Sequence, residues 1–200
     1  MSQKYLQGGS KINANRGPKG SWTPPETMLD LKQHLEAILA SSWRCLGAIL
    51  GLQIVKKSFK NAVKSRLNFC IDFENENGIP EHAYKFKKEL SCADGIIISF
   101  AEHNGAYTAA FKNIFDWISR VEKEVWYNKP LFLIATSDGS RGAITVLKMA
   151  HQRISKGGQI DIPIFSLPDF TKNFDPKLGI TNLDLKDEFN SCIKLFEKNI

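Results

Sequence analysis

The alternation of apolar and polar positions is most regular between residues 93 and 142. Two short apolar runs, 96–98 and 131–135, each open into a polar turn that contains glycine. Between these runs, apolar residues recur at helical spacing: Ala110, Ile114, Trp117, Ile118 and Val121. An apolar run flanked by helices is typical of a parallel strand that is buried on both faces. The pattern therefore predicts strands at 95–99 and 131–135, a helix over 107–121, and a ligand crevice where the two strands end.

Similar signals extend on both sides of this stretch. Residues 74–78 are polar and predict a loop, and Pro80 suits the first position of a helix. The buried side chains of that helix would be Ala83, Phe86 and Leu90. A further helix is predicted over 143–154, and a final one would bury Leu185, Phe189, Cys192, Ile193 and Phe196. The pattern at residues 160–167 predicts the last strand. We expect this strand at an edge of the sheet, because it contains Pro163 and proline cannot donate a hydrogen bond to a neighbouring strand.

This order of elements defines the expected architecture. The alternation of apolar runs with amphipathic helices predicts one α/β domain, a three-layer sandwich around a five-stranded parallel sheet in the order 2-1-3-4-5. Residues 1–27 are rich in glycine and proline turn signals with few apolar anchors, so we expect an irregular N-terminal arm. The domain itself would span residues 28–200.

The basic character of the chain is confined to its first third. The net charge is +6, yet residues 67–200 hold 16 Lys/Arg against 18 Asp/Glu, whereas residues 1–66 hold 11 against 3. No aromatic stacking pattern accompanies these basic residues, so a solvated surface is favoured over nucleic-acid binding.

No apolar stretch approaches the roughly 18 residues of a membrane span. The start of the chain lacks a secretory signal, so we expect no membrane partner and a cytoplasmic location. The four cysteines have no metal-binding spacing and predict reduced thiols without a metal site.

Three motifs of the central stretch carry a resemblance. After the first strand comes Glu102-His103-Asn104-Gly105, and the next helix contains Lys112-Asn113 and Asp116-Trp117. Lys129-Pro130 precedes the second strand, and a glycine-bearing loop follows it. Together they resemble the NAD(P)H-dependent FMN reductase family of flavodoxin-like proteins, whose pattern is Pro-Glu-Tyr-Asn, then Leu-Lys-Asn with Asp-Trp. The resemblance extends from near Leu67 to the C-terminus and implies a flavodoxin-like fold.

The resemblance implies FMN as the cofactor and NADPH or NADH as the hydride donor. The cofactor carries the redox chemistry of such an enzyme and the protein supplies position and electrostatics, so no catalytic side chain is expected. The implied ring-binding residues are Glu102, His103, Asn104, Gly105 and Ala106 in the first turn, and Ser137, Asp138, Gly139, Ser140 and Gly142 in the second. Asn104 and Gly105 suit this role because both tolerate left-handed backbone conformations that aim amides at a ligand. His103 stands where the family has Tyr, and Ala101 where it has Pro.

The FMN phosphate requires a separate turn. Free N–H groups and the dipole at a helix N-terminus favour an anion, and the family places small hydroxyl residues and glycine there. Residues 1–66 contain no clean match to that turn. Ser41 and Ser42, which follow an apolar segment, are the favoured cofactor-binding residues, and Ser10 after Gly8-Gly9 is the alternative.

Two functions remain open at this point. The first is an NAD(P)H-dependent flavin or quinone oxidoreductase that passes hydride through FMN to a small-molecule acceptor: a quinone, an azo compound or free flavin. Family members commonly pair, and the apolar surface of 107–121 suggests a partner, so this enzyme would be a homodimer or homotetramer. The second is a non-catalytic flavodoxin-like domain for binding or assembly that has lost its phosphate-binding turn.

Overall fold

The computed structural model describes residues 71–157 and 161–200. Within these ranges lie six helices and seven strands. In chain order they are α1 (Ile71–Asn77), α2 (Glu81–Ser91), β1 (Ile96–Phe100), β2 (Glu102–His103), β3 (Ala106–Tyr107), α3 (Ala109–Val121), β4 (Leu131–Thr136), α4 (Ile144–Ser155), β5 (Ile164–Leu167), α5 (Phe170–Asn173), β6 (Phe174–Asp175), β7 (Gly179–Ile180) and α6 (Leu183–Lys198). The expected arm at 1–27 and the candidate phosphate residues Ser10, Ser41 and Ser42 lie outside the described residues.

Three strands form the parallel sheet of the described chain. Their order is β1-β4-β5, and both pairings are parallel. The parallel pairing predicted for the strands at 95–99 and 131–135 is therefore confirmed, and the order agrees with the 3-4-5 part of the expected sheet. Strand β5 stands at one end of this three-strand order, and Pro163 lies just before its first residue. The Pro163 carbonyl accepts a hydrogen bond of 3.0 Å from the Leu133 N–H. The two strands expected ahead of β1 fall among the residues that are not described.

The sheet separates the core into two clusters. Alternate residues of a strand point to opposite faces, so Ile96 and Ile98 pack with α2, α3 and α4, whereas Ile97 packs on the other side. The second cluster contains Phe132, Ile134, Phe165, Leu167, Phe170, Ile180, Phe189, Ile193 and Phe196. Three of these residues belong to α6, which covers the second face. No helix in residues 71–157 and 161–200 combines the length and apolar character needed to cross a membrane.

The loop predicted at 74–78 is wrong. Residues 71–77 form α1, which ends at Gly78 with φ +75° and a hydrogen bond of 2.8 Å from the Gly78 N–H to the Glu74 carbonyl. The sequence offers no apolar stripe here, and the helix is fixed by contacts with α3 instead. Glu74 accepts two bonds of 2.9 and 3.0 Å from the Nε of Arg120, and the Phe73 ring lies edge-on to Trp117 at 6.1 Å.

Helices α2, α3, α4 and α6 differ from expectation only at their ends, whereas the short helix α5 was not predicted. Pro80 immediately precedes α2 rather than opening it. Helix α3 starts at Ala109 rather than Tyr107, because the Thr108 hydroxyl caps it and accepts a bond of 3.1 Å from the Phe111 N–H. In α6, Phe189, Ile193 and Phe196 are buried as predicted, while Leu185 and Cys192 are only partly buried.

A buried lysine joins α2 to the connection after α3. Lys87 is 1% exposed, although it follows Phe86 on a helix with an otherwise apolar buried face. Its ammonium donates to the carbonyls of Glu124 and Val125 at 2.6 and 3.0 Å and lies 3.7 Å from the centre of the Tyr127 ring. Burial lowers the pKa of Lys87, and the nearby Glu122 carboxylate opposes that shift. The lysine thus provides the donor for two carbonyls of an irregular segment.

Candidate functional site

Two turns leave the sheet side by side. Strand β1 ends at Phe100, which is the partner of Ala135 near the end of β4. Neighbouring strands lie about 4.8 Å apart, and β1 and β4 are parallel. Residues 101–107 and 137–143 therefore start close together, at the carboxyl ends of the two strands. The sequence predicts a ligand crevice at this place, where the two neighbouring strands end.

The first turn is a β-hairpin. Strands β2 and β3 pair antiparallel, with Glu102 opposite Tyr107 and His103 opposite Ala106. Asn104 and Gly105 connect them with φ values of +51° and +75°, as a two-residue hairpin turn of type I′ requires. The two central amides therefore lie outside the ladder. Asn-Gly is a strong hairpin signal, and it was available in the sequence, where we used it only to predict a turn.

Glu102 is bonded to the helix that follows the second turn. Its Oε2 accepts a hydrogen bond of 2.9 Å from the N–H of Val146, the third residue of α4. The residue before α4 is Ala143, which has φ +60° and no side chain that could cap the helix. A Cβ on Gly105 would lie 3.9 Å from the Thr145 methyl group. The hairpin thus lies over the N-terminus of α4.

The second turn is braced by the segment after β5. The Asp138 carboxylate accepts a bond of 2.9 Å from the Thr171 N–H, and its bonds to the Thr171 side chain and backbone hold the pKa of Asp138 below its usual value. The carbonyl of Ser137 accepts from Phe170 at 3.1 Å, and that of Gly139 from Asp169 at 3.2 Å. Asp138, which the sequence assigned to the cofactor site by resemblance, therefore has a partner within the protein.

The two glycines of this turn have different surroundings. Gly142 has φ +57°, and a Cβ there would lie 2.8 Å from the Pro168 nitrogen and 3.0 Å from the Leu167 carbonyl carbon. The Ser166 hydroxyl also donates to the Gly142 carbonyl at 2.8 Å. A Cβ on Gly139, by contrast, would meet nothing closer than the Ser137 hydroxyl at 3.8 Å. Gly142 thus lies against β5, whereas the space beside Gly139 is open.

The candidate residues consequently fall into two groups. Those with surface or space available to a ligand are His103, Asn104, Gly105, Gly139 and Ser140. Those bonded, paired or packed within the protein are Glu102, Ala106, Ser137, Asp138 and Gly142. The amides of the hairpin turn and the open side of Gly139 allow a planar ligand to approach the backbone closely. The available part of the site therefore suits a flavin ring.

A row of aromatic rings supports the hairpin from behind. The Phe111 ring lies 4.9 Å from Phe100 and 5.0 Å from Tyr107, and the row continues through Phe115 to Trp126. Burial raises the pKa of Tyr107. Apart from Tyr107, all the rings of this row are buried within the chain. They therefore do not form the exposed apolar surface from which the sequence predicted a partner.

This chain belongs to the NADPH-dependent FMN reductase family, whose model matches residues 49–172. The recognition made from the sequence is thus confirmed. The family is named for NADPH-dependent FMN reduction, and membership implies FMN and NAD(P)H as cofactors.

Several characterised proteins are similar to parts of this chain. A 2-hydroxy-1,4-benzoquinone reductase from a Burkholderia species is 34% identical over 123 residues, which are 60% of this chain and 66% of the relative. An NADPH azoreductase from Bacillus sp. strain OY1-2 is 31% identical over 75 residues, covering 38% of this chain and 40% of the relative. The quinone reductase of Escherichia coli K12 is 30% identical over 71 residues, 36% of this chain and 38% of the relative. The matches therefore span from about two-fifths to two-thirds of these relatives.

A solved structure extends the likeness in fold. FerB, a flavoenzyme NAD(P)H:(acceptor) oxidoreductase from Paracoccus denitrificans, superposes with a TM-score of 0.51 and 18% sequence identity. The superposition covers 71% of this chain and 87% of FerB. At this identity the likeness establishes the α/β fold with a parallel sheet, and no shared substrate.

Proposed function

We propose that this protein binds FMN at the edge formed by the hairpin 102–107 and the turn 137–142, and uses NAD(P)H to reduce a small-molecule acceptor. The observation that supports this site most directly is the position of the two turns, which leave adjacent parallel strands at the same end. Membership of the FMN reductase family supports the cofactor. The five-stranded sheet in the order 2-1-3-4-5 is part of the same proposal.

The residues of the chain would act on the flavin by position. FMN, when bound, supplies the hydride-transfer chemistry. The amides at Asn104 and Gly105 would orient the ring edge, and the open space at Gly139 would admit its face. His103, exposed beside the turn, would offer a flat aromatic surface. No protein side chain is assigned a proton transfer.

The acceptor belongs to a class rather than to a single compound. Relatives named for a benzoquinone, a quinone and azo reduction support a planar, electron-poor acceptor that would stack in the same crevice. We also propose a homodimer or homotetramer, because members of the family commonly pair. The aromatic side chains expected at a partner surface do not support it, since they are buried within the chain. Light scattering at micromolar concentration decides the oligomeric state.

Colour and turnover test the function together. Purified protein that is yellow and oxidises NADPH or NADH in the presence of a benzoquinone, an azo dye or free FMN supports the proposal. Protein that stays colourless after incubation with FMN, and turns over none of these acceptors, supports the non-catalytic alternative instead.

A pair of matched asparagine variants tests the site itself. Asn104 and Asn128 are both exposed and both have positive φ, +51° and +52°, but Asn128 lies after α3, away from the hairpin. Alanine disfavours the positive φ that presents the turn amides, so Asn104→Ala should lower the rate of flavin reduction by about tenfold, while the FMN dissociation constant changes less. Asn128→Ala should match the parent in both. Equal effects of the two substitutions would remove the hairpin from the site.

A further inference from the structure

We propose that Glu102 is a positioning residue, which caps α4 from the hairpin and so fixes the spacing between the two turns that hold the flavin. The inference rests on the proposed function and assigns Glu102 a role different from direct contact with the cofactor. It concerns one hydrogen bond, from the Val146 N–H to Glu102 Oε2, that joins segments 44 residues apart.

Helix α4 lacks a local cap. Helices α3 and α6 are capped by the residue that precedes them, Thr108 and Asn182, whose side-chain oxygens accept from the third helical N–H, whereas α2 follows Pro80 without a side-chain cap. Ala143 precedes α4 and has no such oxygen. Glu102 accepts from the equivalent amide, that of Val146, and therefore performs for α4 the function that a local residue performs for its neighbours. Its negative charge also suits the positive end of the helix dipole.

The geometry makes this bond a link between the two turns. The second turn ends at Gly142, which is held against β5 by Pro168 and Ser166, so the start of α4 is fixed relative to the sheet. The hairpin reaches the same helix end through Glu102, and Gly105 passes close to Thr145. The amides at the hairpin turn are thus held at a set distance from Gly139. Loss of the bond would release the hairpin while the second turn stayed in place.

Three variants separate positioning from stability and from charge. Glu102→Ala removes the acceptor, and Glu102→Gln keeps an acceptor oxygen without the charge. Asn182→Ala removes a cap of the same kind from α6, outside the candidate site. The measurements are hydrogen exchange of the Val146 amide in the FMN-free protein, the FMN dissociation constant, and the shape of the visible absorption band of bound FMN.

The expected results distinguish the three changes. In Glu102→Ala, Val146 exchange should accelerate and FMN binding weaken, each by roughly tenfold, the effect of one lost hydrogen bond. The flavin band should also change shape, because the ring would meet a displaced hairpin. Glu102→Gln should stay within about threefold of the parent, since its amide oxygen still accepts. Asn182→Ala should lower the melting temperature and leave FMN affinity and band shape unchanged.

Several outcomes would overturn the inference. If Val146 is equally protected in the parent and in Glu102→Ala, the cap does not exist in solution. If Asn182→Ala weakens FMN binding as much as Glu102→Ala, the effect is one of stability. If Glu102→Gln loses binding while Val146 stays protected, the charge acts on the flavin directly. A parent that binds no FMN would instead overturn the proposed function, and the Val146 exchange data would still decide whether Glu102 caps α4.

Discussion

Gly78 and Gly142 share a backbone conformation but not an environment. Both have positive φ, +75° and +57°, which any side chain disfavours. Nothing lies within 4 Å of the position a Cβ would take at Gly78, whereas at Gly142 the backbone of Leu167 and Pro168 is within 3.0 Å. Gly78→Ala therefore isolates the cost of the left-handed conformation, about 1–2 kcal/mol.

We expect Gly142→Ala to lower the free energy of unfolding more than Gly78→Ala does. Gly142→Ala should add an overpacking cost of about 1–3 kcal/mol to the conformational one, since rigid backbone cannot move aside as a flexible side chain would. Urea unfolding of the parent and both variants measures the difference. Equal losses would mean that the second turn can shift away from β5.

Tyr127 should make stability fall at alkaline pH. Burial, followed by its hydrogen bond to Glu122, raises the pKa of this tyrosine from 10.0 to about 12. Between these pH values the unfolded chain releases the phenolic proton while the folded chain keeps it. The contribution of Tyr127 to the free energy of unfolding is therefore fully present below pH 10 and is lost as the pH rises toward 12. Tyr127→Phe should flatten the decline in the free energy of unfolding over this window. Tyr84→Phe, which removes an exposed phenol from α2, controls for the loss of a hydroxyl group. A decline as steep in Tyr127→Phe as in the parent would contradict the assignment.

At the scale of elements, Lys87 connects α2 to the segment between α3 and β4. Replacing it by Met keeps the length of the side chain but leaves the carbonyls of Glu124 and Val125 without their donor. We expect a loss of about 1–3 kcal/mol in the free energy of unfolding. Lys85 on the same helix is exposed and pairs with Glu81, so Lys85→Met should cost at most about 0.5 kcal/mol. Chemical denaturation of both variants tests the comparison, and a Lys87→Met variant as stable as the parent would show that the segment holds without the lysine.

The elements also show what the sequence could predict. The strands were found because the runs at 96–98 and 131–135 are apolar without interruption, which is the local signature of burial on both faces. Helix α1 was missed because its stability comes from α3, through Phe73 against Trp117 and Glu74 with Arg120, and no local pattern encodes such contacts. Lys87 was missed for a related reason, since a lysine is normally assigned to the solvent side.

The candidate site likewise has features that the sequence predicts and features that depend on contacts between distant residues. Its position at the strand ends follows from topology, and its residue types followed from a family pattern. The tasks of Glu102 and Asp138 did not, because each is defined by an amide more than 30 residues away, in Val146 and Thr171. Sequence spacing carries no information about such a bond. Two carboxylates that were expected at the cofactor thus accept hydrogen bonds from backbone amides of the protein itself.

At the scale of the whole molecule, the cofactor phosphate provides the clearest test of the first 70 residues. If Ser41 and Ser42 bind it, the parent should prefer FMN to riboflavin, which differs only in lacking the phosphate. Each hydrogen bond to a charged group contributes roughly 1.5–3 kcal/mol, so Ser41→Ala/Ser42→Ala should weaken FMN binding by about 10²-fold and leave riboflavin binding unchanged. Fluorescence titration of the FMN-free protein measures both ligands.

The control is the alternative serine. Ser10→Ala should bind FMN as the parent does if the phosphate lies at Ser41 and Ser42. A loss of FMN preference in Ser10→Ala, with the double variant unaffected, would move the phosphate site to the N-terminal segment.

The two-faced sheet has a consequence for how the protein is made. Strands β1, β4 and β5 all precede α6 in the chain, and α6 contributes Phe189, Ile193 and Phe196 to the second face. The ribosome therefore synthesises these three strands before the helix that covers that face. Until α6 packs, the side chains of β4 and β5 on that face lack their apolar cover, a state that favours aggregation and chaperone binding. Slow packing of α6 would prolong that exposure.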